Sequence, residues 1–323
     1  MNQINFILTG MTFLRYYVPL AIAAKKRSIR SSFYVSRSNK YNCPSRFTEK
    51  LDLLREQYEI GFYPIEEIQR DTNPIITVEG DGIQFWNNRS RVFSINFCTD
   101  YIVSYKTYLD KIDSLFLPSE LFKSKIDKDR QQNVICLGTP KFDILIDQAE
   151  VRKKYDLNDQ KYVTLFYPRS RDLSNFPIQE VVKKLNDLGY SVLVKSRLKD
   201  PVSLDIGTKN RVFYDTDWYP HTSMELIAVS DFIVNTSSMS IEESICMLKP
   251  TLNFDVKPFD QTFPELFEND TNINRVKYDQ HRFESDIENI ITMSLDKDSL
   301  INVRNKFFNN VGNTSEKILD MIT

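Results

Sequence analysis

Apolar positions along this chain alternate between two rhythms. Short unbroken runs at Ile4–Leu8, Phe33–Val35, Ile75–Val78, Tyr101–Ser104 and Val134–Leu137 read as strands. Between them, Phe13–Lys26 and Leu51–Tyr58 carry apolar residues at helical spacing. A charged segment, residues 147–161 (DQAEVRKKYDLNDQK), interrupts this pattern, which then begins again. Strands are predicted at Tyr162–Phe166, Ser191–Lys195, Val212–Tyr214, Phe232–Val234 and Thr251–Phe254. Helices are predicted at Ile178–Leu188, Ser223–Val229 and Leu300–Ile322. Continuous apolar strands separated by helices predict parallel sheets covered on both faces. The expected architecture is α/β: two Rossmann-like domains, 1–148 and 149–323, facing a cleft, with the C-terminal helix crossing back to the first. A length of 323 residues suits two cores of about 150 residues each.

Composition narrows the functional classes. Four cysteines lie far apart without a CxxC pair, and with only two histidines a zinc site is not expected; a reducing compartment is. Residues 1–24 are fairly apolar, but Arg15 interrupts them and no run of 18 uncharged apolar residues exists, so neither a signal peptide nor a membrane span is predicted. The expectation is a cytoplasmic protein. Charge is uneven: the first 50 residues hold nine Lys/Arg against the single acid Glu49, in a chain whose net charge is −2. Such a basic lobe suits peripheral contact with the anionic inner face of a membrane or a phosphorylated acceptor, or is a solvated face balanced by acids elsewhere. No nucleic-acid partner is expected.

Parallel sheets bind ligands at the carboxyl ends of their strands, so the loops there hold the candidate chemistry. In NTSSMSIEES (Asn235–Ser244) an apolar strand runs into hydroxyls at the mouth of a helix. A helix N-terminus presents free N–H groups to a phosphate, with Thr236, Ser237 and Ser238 as added donors and Glu242 or Glu243 for a ribose diol. The bland alternative is a capping box of Ser240 and Glu243, with Ile241, Ile245 and Leu248 as the helix's buried face. Arg169, Arg171, Lys195 and Arg197 follow the second domain's first two strands and would offset donor phosphate charge, or are surface charges. His221 either contacts the nucleotide or caps the next helix. In VEGDGIQFW (Val78–Trp86), two of only eight glycines place Asp81 in a tight turn, where it or Glu79 could take a proton from an acceptor hydroxyl; the alternative is an ordinary Asp-Gly turn. Asp215-Thr216-Asp217 has the spelling of a metal-binding Asp-x-Asp element but reads as a loop near the base or ribose, so no metal or other cofactor is expected.

The order of these pieces resembles the CDP-glycerol glycerophosphotransferase family and related GT-B transferases of surface polysaccharides. The matching residues are Tyr219–Pro220, Glu225–Leu226, Ser230–Asp231, Ser237–Ser238 and Lys249–Pro250. Upstream, LGTPKFDIL (Leu137–Leu145) and LFYPRSRD (Leu165–Asp172) are similar to two further family elements, so the likeness spans about residues 134–255. Two family histidines have no counterpart: VEGDGIQFW and VKSRLKD (Val194–Asp200) contain none. The acidic-glycine segment is similar to one used by some bacterial sialyltransferases and Kdo transferases.

The resemblance implies an inverting, metal-independent GT-B glycosyltransferase that moves a sugar from a nucleotide-activated donor to a surface polysaccharide or glycolipid. Asp81 would act as base and the second domain would hold the donor. The alternatives are a polyol-phosphate transferase using a CDP-activated donor, a non-hydrolysing sugar-nucleotide epimerase, and an inactive nucleotide-binding protein.

Overall fold

The computed structural model describes residues 2–36, 44–86, 90–97, 99–168, 176–197, 201–202, 205–215, 217–236, 238–254, 275–293 and 296–323. The chain divides into two compact units, Met1–Ile144 with Lys306–Thr323, and Leu145–Asn305.

The first unit is built on seven strands: β1 (Gln3–Leu8), β2 (Arg30–Val35), β3 (Gly61–Pro64), β4 (Ile75–Val78), β5 (Val92–Ile95), β6 (Ser114–Leu117) and β7 (Val134–Cys136). They lie in the order β3-β2-β1-β4-β5-β6-β7, all parallel. Helices α1 (Leu14–Lys26), α2 (Pro44–Tyr58) and α3 (Glu120–Lys123) belong to this unit. Connections in parallel sheets are right-handed, so reversing the strand order between β1 and β4 opens a crevice at their carboxyl ends.

The second unit repeats the plan with β8 (Tyr162–Phe166), β9 (Ser191–Lys195), β10 (Arg211–Phe213), β11 (Phe232–Asn235), β12 (Thr251–Phe254) and β13 (Arg275–Val276). Their order, β10-β9-β8-β11-β12-β13, reverses between β8 and β11. Five helices belong to it: α4 (Gln148–Lys154), α5 (Ile178–Asp187), α6 (Thr222–Val229), α7 (Ile241–Cys246) and α8 (Phe283–Met293). On α5 the buried residues Ile178, Val181, Val182 and Leu185 recur at helical spacing and pack against Val163, Leu165, Val192 and Val194 of the sheet. Each such side chain is worth about 2 kcal/mol when removed from water.

Three expectations change. Tyr101–Ser104 lies within a 3-10 stretch, Thr99–Thr107, instead of a strand. Its buried partners Ile102, Tyr105 and Tyr108 recur every three residues, a spacing that a 3-10 turn places on one side and a strand does not. The terminal helix is two, α9 (Lys297–Phe307) and α10 (Thr314–Ile322), separated where Asn310 and Gly312 take positive φ. Finally, residues 306–323 belong to the first unit, not the second, and α10 packs on α1 as the crossing-back helix.

That return is anchored by polar contacts. Asp143, of the GTPKFD element, accepts from the backbone N–H groups of Thr314 (3.0 Å) and Ser315 at the start of α10. Arg27 at the end of α1 pairs with Glu316 (2.5 Å) and Asp320 (2.9 Å). Asn309 Nδ2 donates to the Cys136 carbonyl (3.1 Å), and Gly138 lies so close that a Cβ there would sit 2.1 Å from the Asn309 carbonyl oxygen.

Candidate functional site

In the first unit, β4 ends in the turn Glu79-Gly80-Asp81-Gly82. Glu79, Gly80 and Gly82 all take left-handed φ (54°, 65° and 74°). A Cβ on Gly80 would meet the Tyr108 ring at 2.4 Å, so glycine is required there on two counts, conformation and space. The Glu79 carboxylate sits in a ring of donors: Asn96 Nδ2 (2.8 Å), the Phe97 N–H (2.6 Å), the Ser104 hydroxyl and, at 3.4 Å, the Tyr108 hydroxyl. Burial pushes its pKa up to about 7, against the pull of those hydrogen bonds. Glu79 therefore ties the turn to the segment after β5.

Asp81 has fewer ties. Its backbone is fixed by Asp81 N–H to Val78 O (2.9 Å) and by the Thr77 hydroxyl donating to Asp81 O (2.6 Å). Its carboxyl is raised above the usual range by burial, opposed by a hydrogen bond from the Gly82 backbone. Of the two carboxylates, Asp81 makes the fewer side-chain hydrogen bonds, and burial raises its affinity for a proton. The side chain of Tyr17, which donates to Ile7 O (2.9 Å), lies close enough for Asp81 to raise its pKa as well, after burial.

The second unit gathers a denser group at its carboxyl edge. Lys195, the last residue of β9, is 5% exposed, and its ammonium pairs with Asp215 Oδ1 at 2.7 Å and donates to Ser196 O at 2.9 Å. His221 Nε2 stands 3.2 Å from the same Asp215 oxygen, and its ring stacks on Trp218 with centroids 5.1 Å apart and planes 13° from parallel. Burial lowers the Lys195 pKa while Asp215 pushes back; Arg197 adds to the depression and Glu243 opposes it. The Asp215 carboxyl is held well below its ordinary range, because His221 and Lys195 together outweigh its burial. His221 does occupy the N-cap position of α6, yet its side chain makes no capping hydrogen bond.

The hydroxyl run is more internally occupied than its spelling suggests. Thr236 donates to the Phe166 carbonyl (2.7 Å), lacing β11 to β8 across the switch point. Asn235 organises the turn: its Oδ1 accepts from the Ser240 hydroxyl (3.2 Å) and the Ser238 N–H (3.3 Å), and its Nδ2 donates to Asn253 Oδ1 (2.7 Å). Ser240 makes no capping hydrogen bond, so the capping box is not formed. The helix that follows has only six residues; Glu242 and Glu243 are 2% and 4% exposed, and Leu248 lies beyond its end at a φ of 55°. Arg169, Arg171 and Ser237 lie outside the described residues. The two glutamates and Arg197 join Lys195, His221, Thr236 and Ser238 at the carboxyl edge of this one sheet, whereas Glu79 and Asp81 belong to the other unit's sheet.

Several residues of the recognised pattern form framework elsewhere. Glu225 accepts from Lys154 (2.8 Å to each oxygen) and from the Tyr155 hydroxyl (2.5 Å), joining α6 to α4. Asp231 accepts from the Tyr162 N–H (2.9 Å), the Ser230 and Thr164 hydroxyls hydrogen-bond one another (2.8 Å), and Lys249 donates to Ser230 O (2.6 Å). Trp218 and Asn253 are residues of this edge that the sequence did not single out, while Asp215 reads there only as a loop near the base or ribose and Asn235 only as the start of the hydroxyl run. Asp215 was accessible by rule, since it follows β10 at the carboxyl end. Among the described residues no group of three or more His, Cys, Asp or Glu is placed to hold a metal ion.

In sequence, no family model and no curated protein matches the chain. In structure, it matches the wall teichoic acid polymerase TagF with a TM-score of 0.69 at 15% identity, over 99% of this chain and 88% of that one. It matches a putative UDP-N-acetylglucosamine 2-epimerase from Listeria monocytogenes with a TM-score of 0.69 at 12% identity, over 99% and 95%. A glycosyltransferase from Rickettsia africae is similar with a TM-score of 0.56 at 13% identity, over 99% and 97%. At these identities the likeness is one of fold: an α/β chain of two Rossmann-like units of the GT-B type.

Proposed function

We propose that this protein transfers a sugar from a nucleotide-activated donor to a glycan or glycolipid acceptor, with inversion and without a metal ion. The observation that carries the reading is the buried Lys195–Asp215–His221 group beside Trp218, at the carboxyl edge of a sheet whose strand order reverses at β8 and β11. Doubly wound sheets bind their nucleotides at this edge. An ammonium and an imidazole on one carboxylate, with an indole stacked on the imidazole, suit a diphosphate and a flat base. Asp215 already balances one positive charge, so the reading assigns further phosphate compensation to Arg197, Arg169 and Arg171. It gives the ribose to Glu242 or Glu243 and the phosphate turn to Thr236, Ser237 and Ser238. Asp81 would take the acceptor's proton, and Glu79 would hold the loop beside it. The same reading places the protein in the cytoplasm, with its basic N-terminal region against an anionic membrane surface.

Thermal unfolding with UDP, CDP, GDP and CMP tests the donor half. A nucleotide present at 100 times its Kd stabilises by about 2.7 kcal/mol, a shift of several degrees. Absence of a shift with all four would remove the donor site. Asp81→Asn should lower turnover by roughly 10²–10⁴-fold and leave the nucleotide shift intact. The equal structural likeness to a polymerase and to a 2-epimerase favours sugar-nucleotide epimerisation as the second reading. Conversion of the donor in the absence of any acceptor would select it. A CDP-activated polyol-phosphate donor would show itself as turnover confined to CDP compounds.

A further inference from the structure

At the carboxyl edge of the second unit's sheet, the two oxygens of Asp215 are used unequally. Lys195 (2.7 Å) and His221 (3.2 Å) both approach Oδ1, which is closed off from solvent. Oδ2 accepts no hydrogen bond from any described residue. The side chain is nevertheless 17% exposed, and with Oδ1 enclosed that exposure lies on the Oδ2 side of the carboxylate. Asp215 is also ionised: burial raises its hold on a proton, but His221 and Lys195 outweigh it. An ionised oxygen with no partner on its own chain, on a side chain that is mostly buried yet open to the outside, is an acceptor that a ligand can reach.

The charges around this oxygen restrict what it takes. A phosphate or carboxylate would set oxygen against oxygen at Oδ2. A cation would face the Lys195 ammonium across the width of one carboxylate, and that ammonium already balances the Asp215 charge. A neutral N–H or O–H meets neither objection, and its hydrogen bond to an ionised oxygen is of the strong, charge-assisted kind. In a nucleotide such groups belong to the nucleoside, on the ribose hydroxyls or the base edge, and not to the diphosphate. Glu242 and Glu243 lie at the same edge but are buried, whereas Asp215 is partly exposed. We infer that Asp215 is a specificity-determining residue of the nucleotide site, its Oδ2 accepting from a neutral N–H or O–H of the nucleoside while the diphosphate lies away from it. This rests on the proposed nucleotide site in the second unit. It deepens that reading by separating the nucleoside's contact from the phosphates' and by moving it from Glu242 or Glu243 to Asp215.

The test measures dissociation constants by calorimetry on the full chain, for UMP, CMP, GMP and AMP and for the 2′-deoxy and 3′-deoxy forms of the tightest of them. Two arms separate the sources of the hydrogen bond. If a ribose hydroxyl donates it, removing that hydroxyl should weaken binding roughly 10–100-fold, the loss of one hydrogen bond to a charged group. If the base edge donates it, bases that exchange donor for acceptor there, CMP against UMP or AMP against GMP, should differ by the same factor. In Asp215→Asn, which gives up the charge, that factor should fall to roughly threefold or less. Each factor compares two ligands on one variant, so a general loss of affinity cancels. Should Asp215→Asn not fold, Asp215→Glu keeps the charge beside Lys195 and displaces the free oxygen, and the factor should fall there too. A factor that persists in the variant would overturn the assignment to Asp215. Equal affinities across both arms in the parent would overturn the nucleoside contact. Failure of every nucleotide to bind would instead defeat the nucleotide site itself, a separate outcome.

Discussion

At the scale of single residues, a carboxylate's neighbours decide its role more than its position in a motif does. Glu79 and Asp81 are two residues apart, yet four donors converge on Glu79. Its raised pKa, about 7, is also a statement about stability. The folded state holds the Glu79 proton more tightly than the unfolded chain does. Between the unfolded value near 4.5 and the folded value near 7, the native state therefore binds more protons and stability falls as pH rises. A shift of this size is worth about 3 kcal/mol, present in full below the lower value and lost above the upper one. Glu79→Gln, which keeps the carbonyl for Asn96 and Phe97 and offers its amide to Ser104, should remove this slope. Urea unfolding at pH 4.5 and 7.5 should show the parent losing about 3 kcal/mol relative to Glu79→Gln; parallel profiles would show that Glu79 does not titrate in this range. None of this was legible in VEGDGIQFW, because the donors come from residues 96–108. The glycines were legible: a chain poor in glycine places Gly80 where the Tyr108 ring leaves no room for a Cβ.

At the scale of elements, periodicity located the long apolar strands and most helices, and missed those whose stability is not their own. β5 (VFSI) and β6 (SLFL) have four residues each and pass for loop when read alone; they are held by parallel neighbours on both sides. Helix α7 illustrates the same point from the other direction. The apolar pattern through Leu248 forecast a longer helix, but six residues form it, anchored by Ser240 to Asn235 and by Ser244 to Ser240 O (3.1 Å). The GTPKFD element has a comparable structural use. Asp143 caps α10 from 171 positions away, a contact no local signal could reveal. Asp143→Ala removes two part-buried hydrogen bonds to a helix N-terminus and should cost about 2 kcal/mol in urea unfolding, with Asp143→Asn recovering about half. A loss below about 0.5 kcal/mol would mean that α10 docks without its cap.

At the scale of the whole molecule, the sequence forecast two α/β bodies, but the boundary depends on contacts across the chain's full length. The last 18 residues complete the first unit: Phe307, Ile318, Leu319 and Ile322 are fully buried, and Arg91 donates to Ile322 O at 2.6 Å. A chain ending at Asn305 should therefore keep the second unit folded and lose the first. Limited proteolysis should then spare a fragment near residues 145–305 and degrade the rest; uniform resistance would contradict this division. The same return helix revises the charge argument. The sequence left open whether the basic excess of the first 50 residues is balanced by acids elsewhere, and in part it is: Arg27 is bound to Glu316 and Asp320, and Lys25 pairs with Glu59 at 2.9 Å. What remains for a membrane surface includes Lys26 and Arg30, both exposed. Each basic residue near an anionic bilayer contributes about 1 kcal/mol. Sedimentation with vesicles containing anionic lipid should show binding that weakens as salt is raised, and Lys26→Glu with Arg30→Glu should reduce it by roughly tenfold or more. Arg27→Glu would also break its ion pairs with α10, so its effect should appear first as lost stability. Binding indifferent to Lys26 and Arg30 would place the membrane contact elsewhere or remove it.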